Sequence, residues 1–185
     1  MMNLKIPRSY KLILSLALVA GPFTWLVLTE DGQRRSDLFL LQVTGHPSFN
    51  IAYDHLNQHV TQSDFETLFP KVRFQCEARE TAFGERVCAA EIASFNGMPA
   101  RTVRLYYRGD LLTSMHLNYR ERYHELLEAS LRNGLGDPLQ PVGAGVLLWR
   151  LPEGVVMLAA APPETPGDAA LLWLSPGMAV RYGAT

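Results

Sequence analysis

Four groups of side chains in this 185-residue chain have types and spacings that chemistry could use. His55 and His59 stand four apart with Asp54 adjacent. On one helical turn the two imidazoles would meet, and imidazole with carboxylate is an ordinary metal-ligand set. Only three ligands are in view, one fewer than a structural zinc shell needs. The segment reads more simply as polar surface, and no metal site is assigned. Glu121, His124, Glu125 and Glu128 run along a predicted helix. Acid–base work would require a buried cleft to shift a carboxyl pKa, whereas helical spacing beside Arg122 and Arg132 predicts an exposed, ion-paired face. No catalytic residue is assigned there.

The third group is Arg104, Tyr106, Arg108, His116, Asn118 and Arg120, on the polar side of a predicted hairpin. Arg and Tyr are enriched where binding energy concentrates, which makes this face the candidate for gripping an anionic group or a partner protein. The default reading is the solvated side that antiparallel sheets often present. The fourth group is Cys76 and Cys88, the only two cysteines. They flank residues 77–87, whose centre, Thr81-Ala82-Phe83-Gly84, has turn composition. A hairpin centred near Ala82 would set the two thiols face to face, at a separation a disulfide can bridge. That bond is expected, and it needs an oxidising compartment; two buried free thiols are the alternative.

The familiar catalytic signatures are missing: no Gly-x-Ser-x-Gly elbow, no Gly-x-x-x-x-Gly-Lys loop, no Gly-x-Gly-x-x-Gly and no His-Glu-x-x-His. This weighs against the commonest enzyme classes without excluding a convergent site. No cofactor is implied. A formal net charge of -1 argues against nucleic acid as the main partner, because phosphate binding needs a basic excess.

The elements that must position these groups begin with an address. Lys5, Arg8 and Lys11 precede an apolar run over 12–28 that ends at Glu30 and Asp31. A hydrocarbon core of about 30 Å needs about 20 apolar residues, with about 17 as the lower limit. A cleavable signal peptide is the competing reading. Its only small-residue candidate, Ala20-Gly21, has Leu18 three positions back and Pro22 directly after, which makes a poor cleavage site. Trp25 sits where aromatics line the membrane–water boundary. An uncleaved anchor is therefore expected, with a cytoplasmic amino terminus favoured modestly by charge, since Arg34 and Arg35 follow the run.

The rest is long enough for one domain, and 48% hydrophobic with 19% charged residues is an ordinary globular composition. Residues 30–36 read as a polar linker and 37–43 as a short apolar piece, either a helix capped by Ser36 or a continued stalk. Phe49, Ile51 and Tyr53 alternate as a weak strand. Ser63 and Glu66 have capping-box spacing, opening a helix with Phe65, Leu68 and Phe69 on one face before Pro70. A meander follows over 72–78, 87–95, 103–108 and 111–118, with Asn96-Gly97-Met98-Pro99 as one turn. Opposed residues share a face, so a three-residue loop 108–110, pairing Leu105 with Thr113 and Val103 with Met115, is expected over a two-residue Gly109-Asp110 turn. A second amphipathic helix is predicted over 120–132, with Asn133-Gly134 as its stop. A second sheet region covers 146–151, 155–161 and 170–174, joined by a tight Pro152-Glu153-Gly154 turn and a proline-rich loop over 162–167.

The expected architecture is α+β: an N-terminal transmembrane helix, then a two-layer domain of antiparallel sheet with two amphipathic helices. Its boundaries are a cytoplasmic amino terminus at 1–11, an anchor at 12–29, a linker at 30–47 and a periplasmic domain at 48–185. The function this implies is that of a single-pass bacterial inner-membrane protein with its C-terminal domain in the periplasm, binding another envelope protein as an accessory or assembly subunit. The alternatives are an anchored enzyme acting on lipid or cell-wall polymer, and a secreted module if the signal is cleaved.

Overall fold

The structure, a computed structural model, describes residues 8–43, 45–139, 145–162 and 169–184. Lys5 and most of the proline-rich loop at 162–167 lie outside them. In chain order the elements are α1 (Arg8–Leu28), α2 (Glu30–Val43), β1 (Ser48–Phe49), a 3-10 turn (Tyr53–His55), α3 (Gln62–Leu68), β2 (Gln75–Ala78), β3 (Arg86–Glu91), β4 (Ser94–Phe95), β5 (Met98–Arg108) and β6 (Leu111–Tyr119). A second 3-10 turn (Glu121–Tyr123), α4 (His124–Leu135), β7 (Val146–Leu151), β8 (Gly154–Ala159), β9 (Ala170–Leu174) and α5 (Pro176–Arg181) complete them.

Within α1, Tyr10–Leu28 is long and apolar enough to cross a membrane, and none of that stretch is buried. The following segment is one helix, not a polar linker with a separate apolar piece. Thr29 divides the two helices: its hydroxyl donates to the Trp25 carbonyl at 2.7 Å and accepts from the Gly32 amide at 3.0 Å. Asp31 then pairs with Arg34 at 2.7 Å and Arg35 at 2.8 Å, the spacing that supports a helix from its own surface. The far side of α2 is tied to the domain. Asp37 accepts from Arg120 at 2.9 Å, from the Tyr123 hydroxyl at 2.7 Å and from Arg122, and Arg34 donates to the Gly97 carbonyl at 3.2 Å. Asp37→Ala is expected to lower stability by about 1–2 kcal/mol, the buried-pair cost reduced because both arginines are partly solvated. Urea unfolding checks this, and an unchanged midpoint would mean that α2 contributes nothing by docking.

Several local expectations shift by a residue or two for definable reasons. The helix expected to open at Ser63 is capped by Thr61: the Asp64 amide donates to its hydroxyl, and its own amide donates to the Asp64 carboxylate at 2.8 Å. Glu66 instead accepts from Gln62 at 2.7 Å. Phe65 is buried, but Leu68 points outward. The strand expected through Ile51 and Tyr53 stops at Phe49, because the Asn96 side chain meets both backbone groups of Ile51 at 2.9 Å and takes the place of a neighbouring strand. The second amphipathic helix begins as the 3-10 turn and runs on to Leu135, with Gly136 rather than Asn133-Gly134 at its end.

The β5–β6 hairpin corrects the loop expectation. Arg108 pairs with Leu111 and Tyr107 with Leu112 across a tight Gly109-Asp110 turn, and a bulge then makes Thr113 the extra residue. Beyond it Leu105 opposes Met115 and Val103 opposes Leu117. One inserted residue keeps both faces consistent, the same requirement that a longer loop would have met. The Thr113 hydroxyl lies within bonding reach of the Phe83 and Tyr106 carbonyls, which favours the bulge.

The later strands do not build a second sheet. β9 pairs with β6, giving the order β1-β4-β5-β6-β9-β8-β7, with β3 also on β5 and β2 on the outside of β3. One face carries the main core, where Phe65 of α3 and Leu127 and Leu131 of α4 pack with Leu105, Met115, Trp149 and Trp173. On the other face, α5, which the sequence reading did not anticipate, covers one corner with Met178 and Ala179 against Leu148, Val155 and Leu174.

Candidate functional site: an open sheet face

The registers lay out the second face in rows, since opposed residues project to the same side. Val87, Tyr106, Ser114, Leu174 and Val155 form one row. Ala89, Arg104, His116, Leu172 and Met157 form the next, and Glu91, Thr102, Asn118 and Ala170 a third. The first row is buried. Phe83, from the β2–β3 loop, lies 5.4 Å from the Tyr106 ring and 5.5 Å from that of Tyr182, closing the row together with α5. The second and third rows are half-exposed over most of their length.

Toward β2 and β3 these rows open into a groove of about 1170 Å³. It is lined by residues 45–48 on one side, by Lys71 and Arg73 on another, and by Gln75, Glu91, Thr102 and Arg104 from the strands. Arg104 is held in place: its guanidinium donates to the Asn118 side-chain oxygen at 2.8 Å, which also accepts from Thr102 at 3.2 Å. Glu91 lies 3.8 Å from the His46 ring. Three permanent cations, Lys71, Arg73 and Arg104, therefore face one carboxylate, and the groove carries a positive bias suited to acidic or hydrogen-bonding surfaces.

His116 is packed edge-on against Phe83 at 4.3 Å and lies tilted against Tyr106 at 4.5 Å. Burial first, and the Arg104 charge second, push its pKa down to about 4. The ring is neutral in the folded protein near pH 7, while an unfolded histidine titrates at about 6.5. Its contribution to stability is complete above pH 6.5 and is lost as the pH falls through 4, because the unfolded chain takes up the proton first. Acid unfolding of the wild type is expected to show about 2 kcal/mol more loss across that window than His116→Gln, a figure reduced for the part of the ring that water reaches. Identical pH–stability curves for the two proteins would remove His116 from the face's electrostatics.

Of the six residues read from the sequence as an interaction face, Arg104, His116 and Asn118 come together on the open strip. Tyr106 lies in the adjoining row under Phe83, Arg108 is exposed at the far hairpin tip, and Arg120 is engaged with Asp37. Lys71 and Arg73 were missed; their signal is the basic pair directly after Pro70. His55 ends a 3-10 turn and His59 lies in the turn beyond it, so the two do not share a helical turn. Among the described residues no group of three or more His, Cys, Asp or Glu side chains is arranged to hold a metal. On α4, Glu128 pairs with Arg132 at 2.8 Å as the exposed-face reading expects, but His124 turns into the core, its Nδ1 lying 2.6 Å from the buried Tyr119 hydroxyl.

Comparison with known families, curated proteins and solved structures finds no match.

Proposed function

We propose that this chain is a membrane-anchored binding protein of the bacterial envelope, an accessory or assembly subunit whose domain lies in the periplasm and whose open sheet face receives a protein partner. The observation that carries the proposal is an unburied apolar helix, Tyr10–Leu28, on a domain with a Cys76–Cys88 disulfide and a half-exposed sheet face. An anchor confines the domain to one surface and raises its effective concentration toward neighbours there. A disulfide is kept where the compartment is oxidising. The groove supplies the chemistry of recognition: a guanidinium fixed by Asn118, the exposed cations Lys71 and Arg73 beside it, and the half-exposed apolar side chains Leu172 and Met157 in line with it. Fixed arginine next to apolar surface is the composition of binding hot spots.

Co-purification from detergent-solubilised native membranes tests the proposal. The wild type is expected to bring down a stoichiometric partner, and Lys71→Glu with Arg104→Glu to lose most of it while keeping the wild-type melting temperature. Retention of the partner by a folded double variant would place recognition elsewhere, and recovery of the chain alone would argue against a subunit role. Intact mass separates the anchored from the secreted form, since loss of about the first 20 residues would end the anchor reading.

A further inference from the structure

Three apolar side chains of α2 stay largely uncovered by the described residues. Phe39 is 67% exposed, Leu40 59% and Val43 67%. Their direction follows from the corner between α1 and α2. Gly32 lies so close to the end of α1 that a methyl group on its α carbon would stand 2.4 Å from the Trp25 carbonyl oxygen and 2.7 Å from the Leu26 α carbon. The Gln33 side chain donates to the Val27 carbonyl at 2.6 Å, and the Arg35 guanidinium lies 5.8 Å from the centre of the Trp25 ring. The chain therefore turns sharply at Thr29, with the Gly32 side of α2 set against the last turn of α1.

A helix advances about 100° per residue, so Gly32, Phe39 and Val43 fall within about 40° of one another, with Arg35 and Leu40 flanking them. Asp37 and Arg34, which hold the domain, fall about 140–160° away from Gly32 on the opposite side. One side of α2 thus faces back toward α1 and the other carries the sheet domain. If α1 crosses a bilayer, the side that faces back along α1 faces that bilayer. Trp25 marks the level of the boundary, where aromatics concentrate. An amphipathic helix placed so buries its apolar face at the border of headgroups and acyl chains.

We propose that α2 is an interfacial helix, with Phe39, Leu40 and Val43 inserted into the surface of the same lipid bilayer that α1 spans. This rests on α1 being a membrane span, and it adds a rigid orientation to the anchoring. The domain sits on the membrane through a bent pair of helices instead of swinging on a free tether, and the Asp37 contacts fix which side of the sheet looks along the surface.

The test uses the full chain with its disulfide intact, carrying a single added cysteine in Leu18→Cys, Phe39→Cys, Val43→Cys or Asp110→Cys. All four native side chains are exposed. Each variant is labelled with a maleimide nitroxide and reconstituted into vesicles of phosphatidylethanolamine and phosphatidylglycerol. Collision with dissolved oxygen, which concentrates in lipid, is compared with collision with a water-soluble nickel chelate. The expected result is an oxygen-to-nickel ratio several-fold higher at 39 and 43 than at 110, with 18 higher still. A lipid value at 18 with aqueous values at 39 and 43 would overturn the interfacial helix and leave the anchor standing. Labels at 39 and 43 shielded from both reagents would overturn it in favour of a covering protein, a second copy included. An aqueous value at 18 would end the anchor reading and this inference together.

Discussion

Trp173→Ala is expected to lower the stability of the domain by about 3–5 kcal/mol, the range for removing a large buried aromatic side chain. Trp173 is fully buried on β9, opposite Met115 of β6 and Val156 of β8. β9 is the strand that joins the early meander to the β7–β8 hairpin, so a cavity there loosens the contact between the two halves of the sheet. The site has little room to collapse into the space. Gly154, with φ +146°, passes beneath the indole, and a methyl group at that position would lie 2.9 Å from the Trp173 ring nitrogen and 2.3 Å from the Leu174 carbonyl oxygen. The indole and the bare glycine are fitted to each other, and Gly154→Ala is expected to destabilise in the same direction. Trp173→Phe retains most of the volume and should cost much less. Against total stabilities commonly about 5–15 kcal/mol, a loss of that size removes a large fraction of what holds the domain folded. Urea unfolding followed by far-ultraviolet circular dichroism measures the difference. A loss below about 1 kcal/mol would mean that the two halves of the sheet hold together without this contact.

What was legible in the sequence was whatever is decided by neighbours along the chain. Alternation marked β5 and β6 and the side to which Arg104, His116 and Asn118 project, because strand periodicity is local. Turn composition around Ala82 was enough to oppose Cys76 and Cys88, and the two are paired as expected. The α+β character followed from the same patterns, as did an apolar N-terminal helix. What stayed hidden was decided by distant parts. The insertion of β9 between β6 and β8 is a choice of partner that no local pattern encodes. The bulge at Thr113 depends on a hydroxyl meeting the Phe83 carbonyl, 30 residues away in sequence. α5 is too short to show a helical period, and α2 mixes charge with apolar residues because its two sides serve different neighbours. At the site, Lys71 and Arg73 reach the groove from a loop, and Phe83 covers Tyr106 from another; alternation within one hairpin carries no trace of either.

Replacing Cys76 and Cys88 by serine is expected to lower stability by about 3 kcal/mol in the chain-entropy picture, for a bond that closes a loop between residues 12 apart. How that loss is distributed matters more for function than its size. β2 lies on the outside of the sheet, pairs among the described residues with β3 alone, and is exposed at all four of its positions. It has almost no buried apolar surface of its own to hold it, so its attachment rests on the ladder to β3 and on the covalent bond from exposed Cys76 to fully buried Cys88. Breaking that bond is therefore expected to release β2 before the domain unfolds, as weakly packed elements open at low local free energy. Gln75, which lines the groove, would move with it, while Val72 and Phe74 keep the Lys71–Arg73 stretch on the core, so a reduced protein should bind a partner at that groove less well while its core remains folded. Hydrogen exchange of the oxidised and reduced forms checks the order of events: faster exchange confined to β2 and its loop supports a local release. Unfolding curves that coincide with and without reductant would show that the bond adds nothing, and the groove would then owe its shape to packing alone.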